Sequence, residues 1–186
     1  MTYRPNLRIS IERLLKIERR VRDVYLALGE RPEFPTELRT VWHDMAKEEE
    51  HHGIFLARSA GLLNFVDSPL EIPEATLVEV EVQVTAAEAA ARQVALNIDE
   101  ACRQALILED AARRSLVDTW VQGFSPSLES LLHATKPEKE ACLRRLIEAV
   151  QIFSTNQALR NQAAVVWSTY QHQKPGRGKE GMTPGG

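Results

Sequence analysis

The chain has 186 residues, enough for one compact domain with a real core, and a net charge of -3 at neutral pH. That balance excludes a dedicated nucleic-acid binder, which is ordinarily basic, and no basic stripe with interleaved aromatics occurs. No apolar run of about 18 residues is present, the stretch from Met1 to Ser10 lacks the apolar segment of a signal peptide, and Cys102 and Cys142 form no Cys-x-x-Cys pair, so the expectation is a cytoplasmic protein with no membrane partner and no rubredoxin-type or zinc-ribbon site.

From about Leu7 to Leu28, Ile11, Leu14, Leu15, Val21, Tyr25 and Leu28 recur at helical spacing, and Gly29 with Arg31-Pro32-Glu33-Phe34-Pro35 stops the helix. A second helix is predicted from Thr36 to about Ala60, with Leu38, Val41, Trp42, Met45, Phe55 and Leu56 as its apolar stripe. After Pro69 and Pro73 the run Leu77-Val78-Glu79-Val80-Glu81-Val82-Gln83-Val84 alternates with period two, which predicts a short strand or an extended crossover. Helix resumes at Thr85, where Thr85-x-x-Glu88 reads as a capping box, and Asn97-x-x-Glu100 is a second start signal, so a break near Asn97 and a long helix from Ile98 to Val121 are expected. Ser125-Pro126 opens a fourth helix to about Phe153, in which Pro137 marks a kink or a restart capped by Thr135-x-x-Glu138. A last helix, about Thr155 to His172, offers an apolar face with Trp167 and Tyr170 that docks on the bundle or on a second chain. One domain is therefore expected over 1–173, followed by a Gly/Pro/Lys-rich flexible tail over 174–186.

Two helices, a long crossover and two more helices are the plan of an all-α, ferritin-like antiparallel four-helix bundle, here with an extra C-terminal helix. The halves repeat weakly. A shift of 91 residues brings Leu15 to Leu106, Ile17 to Leu108 and Glu18 to Glu109; a shift of 90 brings Leu38 to Leu128, Trp42 to Leu132, His43 to His133, Glu48 to Glu138 and Leu56 to Leu146. Glu18 and Glu109 thus hold equivalent places.

Both places are unusual for a carboxylate. Glu18 lies four after Leu14 and three before Val21, and Glu109 three after Leu106, each on an apolar face. In Met45-Ala46-Lys47-Glu48-Glu49-Glu50-His51-His52, Glu-x-x-His occurs twice; Glu49, four after Met45, and His52, four before Leu56, point inward, and Glu48 with His51 faces the edge. A buried carboxylate must be protonated, paired or metal-bound. Glu18, Glu49, His52 and Glu109 are therefore the candidate metal ligands, of a type that Fe, Mn and Zn all accept. The plain reading of Glu48-Glu49-Glu50 is a solvated charge run, that of His43, His133 and His172 surface or capping histidines, that of Tyr25 a core aromatic, that of Trp42 and Trp120 bundle-end packing, and that of Cys142 an inert buried thiol.

On Ile17-Glu18 through Tyr25, Trp42 through His52, and Leu106-Ile107-Leu108-Glu109, the chain resembles the rubrerythrin-like branch of the ferritin-like superfamily. In that family each half supplies one helix with a lone Glu and one with Glu-x-x-His, which together hold a di-iron centre that reduces peroxide or oxidises iron. The resemblance implies Glu18 and Glu109 as the lone glutamates, Glu49 with His52 as the first pair, iron as the cofactor, a hydrogen bond from Tyr25 to a ligand carboxylate, and a dimer.

The second half departs from that pattern. Lys139 stands where Glu49 is matched and Cys142 where His52 is matched, and no cysteine pairs exist for a rubredoxin module. Two readings follow. One is a metal-binding protein with a reduced site of one ion or an asymmetric pair, carrying weak ferroxidase or peroxide-related activity at most. The other is a non-enzymatic structural or interaction bundle in which Lys139 replaces the metal as counter-charge to buried glutamates. If His52 is a ligand it must be neutral, so binding should weaken as pH falls toward about 6.

Overall fold

The computed structural model describes residues 7–63, 74–115 and 126–172, with side chains at 9–58, 74–111 and 140–172. Its described residues form six helices and no strand: α1 (Leu7–Gly29), α2 (Thr36–Leu63), α3 (Glu74–Ala91), α4 (Ile98–Ser115), α5 (Pro126–Phe153) and α6 (Gln157–His172). Among them no helix is long and apolar enough to cross a membrane.

The helices alternate in direction. α1 and α2 are joined by the short turn after Gly29, where Phe34 N–H donates to the Arg31 carbonyl. α3 runs parallel to α1, because Arg13 pairs with Glu81 and Arg20, seven residues on, with Glu88, seven residues on. α4 returns beside α3. The C-terminal end of α5 meets the start of α4 through Ser154 and Asp99, and α6 folds back on α5, where Gln151 donates to the Arg160 carbonyl. α1 packs on α2 and α3, α2 on α5, and α4 on α3, α5 and α6. Five helices thus close a ring around one core, and α6 lies on its outside against α4 and α5.

The core follows from stripes spaced three and four apart. In α2 the sequence Leu38, Trp42, Met45, Glu49 lies along one buried line. In α1 the line is Ile11, Leu14, Val21, Tyr25 and Leu28, with Glu18 in its gap. Trp42, in the second turn of α2, is fully buried, with its ring parallel to that of Tyr25 at 6.2 Å between centroids. Trp120, His133 and the tail over 174–186 lie outside the described residues or side chains.

One segment overturns the expectation from sequence. Leu77 to Val84 is neither strand nor extended crossover but the first half of α3, which begins at Glu74 instead of Thr85. Leu77, Val80, Val84, Ala87 and Ala91 are buried, a helical period hidden inside the alternation, whereas Val78 and Val82 face outward. Arg13 and Arg20 hold Glu81 and Glu88 of the same helix against α1. Tertiary packing and these pairs outweigh the weak β-preference of the valines. Thr85 consequently caps nothing: its hydroxyl donates to the Glu81 carbonyl one turn back and accepts from Arg20.

The break near Asn97 is present. Asn97 Oδ1 accepts the Glu100 N–H at 2.8 Å and starts α4. α4 is described only to Ser115, so the expected extension to Val121 lies outside the described residues, as does Ser125. α5 is one helix across Pro137, not two. α6 begins at Gln157, two residues later than expected, because Asn156 Oδ1 accepts the Leu159 N–H and takes the cap. Trp167 and Tyr170 stack on each other at 5.9 Å and pack against the core, with the Arg144 guanidinium over the Trp167 ring.

Candidate metal centre

Glu18 is delivered by the middle of α1, and Glu49 and His52 by the middle of α2, one helical turn apart on its inner line. Their donor atoms all lie within 4.8 Å of one another, and among the described residues they are the set of three or more His, Cys, Asp or Glu that does so. His52 Nδ1 is 3.2 Å from Glu49 Oε2 and 3.9 Å from Glu18 Oε2. The three side chains keep only 7 to 18% of their surface exposed. Three of the four residues singled out by sequence therefore meet at one point.

Glu109, the fourth, approaches from α4. One of its oxygens, Oε1, accepts the Tyr25 hydroxyl at 2.8 Å. Tyr25 is wholly buried, and burial first, then the charges of Glu109 and Glu49, push its phenol well above the ordinary range. The phenol is held protonated as a donor to Glu109, which is not among the donors that converge within 4.8 Å.

Cys142 comes from α5 and is buried. Burial, followed by the charges of Glu109, Glu49 and Glu48, raises its thiol far above the usual value, so it is protonated, with Arg145 opposing the shift. It faces the same region as the carboxylates but belongs to no group of converging donors, which fits an inert thiol. Lys139, one turn earlier on α5, has a side chain outside the described ones.

The glutamate run divides three ways. Glu50 is exposed, Glu49 is buried in the triad, and Glu48 turns toward α5, where Arg145 bridges it at 3.5 Å and Asp44 at 3.1 Å. His51 is exposed, as its phase required. Arg145 was not singled out from sequence, though a signal existed: Asp44 and Glu48, one turn apart on a helix edge, call for a cation on the neighbouring helix. The His43 ring is laid against Gly29 with its Nε2 3.8 Å from Glu30, and His172 Nδ1 donates to the Ser168 carbonyl one turn back at 2.7 Å.

No family model matches the chain, and no curated protein and no solved structure does either. The functional reading therefore stands on the residues and their geometry.

Proposed function

We propose that the chain is a ferritin-like metal-binding protein that holds one divalent ion between α1 and α2, at Glu18, Glu49 and His52, with Glu109 at the edge of the site. The observation that carries this is the convergence of three metal-type donors within 4.8 Å of one another in a largely closed interior. Two carboxylates and an imidazole suit Fe, Mn or Zn, and iron is the first choice because carboxylate-rich sites hold both of its common oxidation states. When bound, such an ion supplies Lewis acidity or redox chemistry; the protein's part is to hold it, to exclude water, and to fix Glu109 through Tyr25. The ferritin-like reading is supported by chain order: α1 and α2 carry Glu18, Glu49 and His52, α4 and α5 carry Glu109 and Cys142, and α3, which packs on α1 and α4, separates the two pairs in sequence. With Cys142 where a second histidine would stand, weak ferroxidase or peroxide-related turnover is the most this chemistry supports.

A second reading is favoured by the ion-pair distances from His52 to Glu49 and Glu18. In it the protein is a structural or interaction bundle, and a protonated His52 together with Lys139 balances the buried glutamates.

Metal analysis separates the two. After expression in medium supplemented with iron and manganese, about one ion per chain, lost in both Glu49→Gln and His52→Ala, supports the first. Protein free of bound metal sinks it. The second reading instead requires Lys139→Met to cost about 3–5 kcal/mol in metal-free buffer, because it strands buried charge.

A further inference from the structure

We infer that the gap beside Gly53, on the α1 side of α2, is the opening through which a divalent ion reaches Glu18, Glu49 and His52, an inference that rests on reading those three as a metal site. Gly53 lies inside α2 in ordinary helical backbone, so no left-handed conformation asks for glycine there. Crowding does not ask for it either. Among the described residues, a Cβ at Gly53 would meet nothing within 4 Å, whereas one at Gly29 would strike the His43 ring. Glycine is the poorest helix former after proline, and what this one supplies is the absence of a side chain.

Gly53 comes eleven residues after Trp42 and seven after Ala46, so the helical repeat puts it on their stripe. Trp42 and Ala46 are buried, but at Gly53 the stripe is partly exposed. The stripe lies to the α1 side of Glu49, toward His43, which touches Gly29, and away from Asp44 and Glu48, which reach Arg145 on α5. Helical side chains lean toward the N-terminus, so one at position 53 would lie over the turn that holds Glu49. With glycine there, that side of Glu49 stays open, next to a space that admits a water molecule of about 1.4 Å radius. His52 and Glu18 accordingly keep 18% and 13% of their side-chain surface exposed. Glu50, three residues before Gly53, sets an exposed carboxylate at the mouth, and Arg22, four after Glu18 on α1, is turned onto Asp23. The mouth thus favours a cation.

Exchange of the imidazole C2 proton of His52 with solvent deuterium, in metal-free protein, tests the opening, with exposed His51 as the reference in the same chain. Gly53→Leu should slow exchange at His52 on the order of tenfold, because water must then wait for a local opening, and should leave His51 unchanged. Gly53→Ala, whose methyl group stops short of Glu49, should exchange as the wild type does. With zinc as the probe, uptake and removal by excess chelator should slow together in Gly53→Leu while the affinity is unchanged. Exchange at His52 that is as fast in Gly53→Leu as in the wild type overturns the inference. So does a Gly53→Leu protein that fails to fold, because the space is then not there. Slowed exchange in a protein that binds no zinc supports the opening and sinks only the metal reading.

Discussion

The hydroxyl of Tyr25 on α1 donates to Oε1 of Glu109 on α4 at 2.8 Å, across the interior of the ring of helices. The pair joins the two halves of the chain at Glu109, the residue matched in sequence to Glu18. A buried phenol needs an acceptor and a buried carboxylate needs donors, so each group offsets the other's desolvation. The Tyr25 ring is held from the side by Trp42, which leaves the phenol little freedom to turn away.

Tyr25→Phe should therefore destabilise the metal-free protein by about 1–3 kcal/mol, the range for removing a donor from a charged, largely buried acceptor. Urea unfolding checks this. In a double-mutant cycle with Glu109→Gln, the coupling should reach about 1 kcal/mol or more. Additive losses would show that the 2.8 Å contact carries little free energy.

Much of the fold was legible in the sequence because the helix signals were local. Gly29, the Asn97 cap and Pro126 lie where the chain turns or where a helix begins. The phase of Glu18, Glu49 and His52 was readable from their spacing to Leu14, Met45 and Leu56, and the structure brings these three together. Two things were not readable. The run from Leu77 to Val84 satisfies a two-residue and a 3.6-residue period at once, and only the neighbours, Arg13 and Arg20, decide between them. The spacing of Asp44 and Glu48 signals a cation on a neighbouring helix but not which one, and the partner, Arg145, lies about a hundred residues away.

The two periods make opposite demands on α3. On a strand, Val78, Val80, Val82 and Val84 would share a face; on the helix, Val80 is 3% exposed and Val78 is 45%. Val80→Ala should cost about 1.5–3 kcal/mol by loss of buried methyl groups. Val78→Ala should stay within about 0.5 kcal/mol. Equal losses at the two positions would contradict the helix.

Acid should loosen α3 from α1. The hydrogen bond from Arg20, against the opposing effect of burial, holds Glu88 below its ordinary value of 4.5, and Arg13 does the same for Glu81. A carboxylate whose folded value is depressed stabilises the fold fully above its unfolded value, and that contribution is lost as pH falls through the folded one. Stability should thus be flat above about pH 5 and fall below about pH 4.5, with the slope reduced by on the order of one proton in Arg20→Met. A residual slope is expected in Arg13→Met/Arg20→Met, because Asp99 is also held low, chiefly by the Ser154 hydroxyl and then by Thr155. Chemical denaturation from pH 3 to 7 measures this; an unchanged slope in Arg20→Met would show that the pair does not persist in solution.

Gly29 closes α1 for a reason other than backbone conformation. A Cβ placed there would come within 2.8 Å of the His43 ring, closer than carbon atoms pack. His43 lies on α2 about two turns past the α1–α2 turn, so glycine lets the two helices approach near their joined ends. The His43 side chain is 38% exposed and can swing outward, which limits the cost. Gly29→Ala should accordingly lower stability by about 1 kcal/mol, with the helix-propensity gain of alanine offset by the displaced ring. In a His43→Ala background the same substitution should become neutral or stabilising by up to about 1 kcal/mol, since only the propensity term is left. Thermal unfolding of the four proteins of this cycle decides it: if Gly29→Ala is equally costly with and without the imidazole, the close approach of His43 is not what requires glycine.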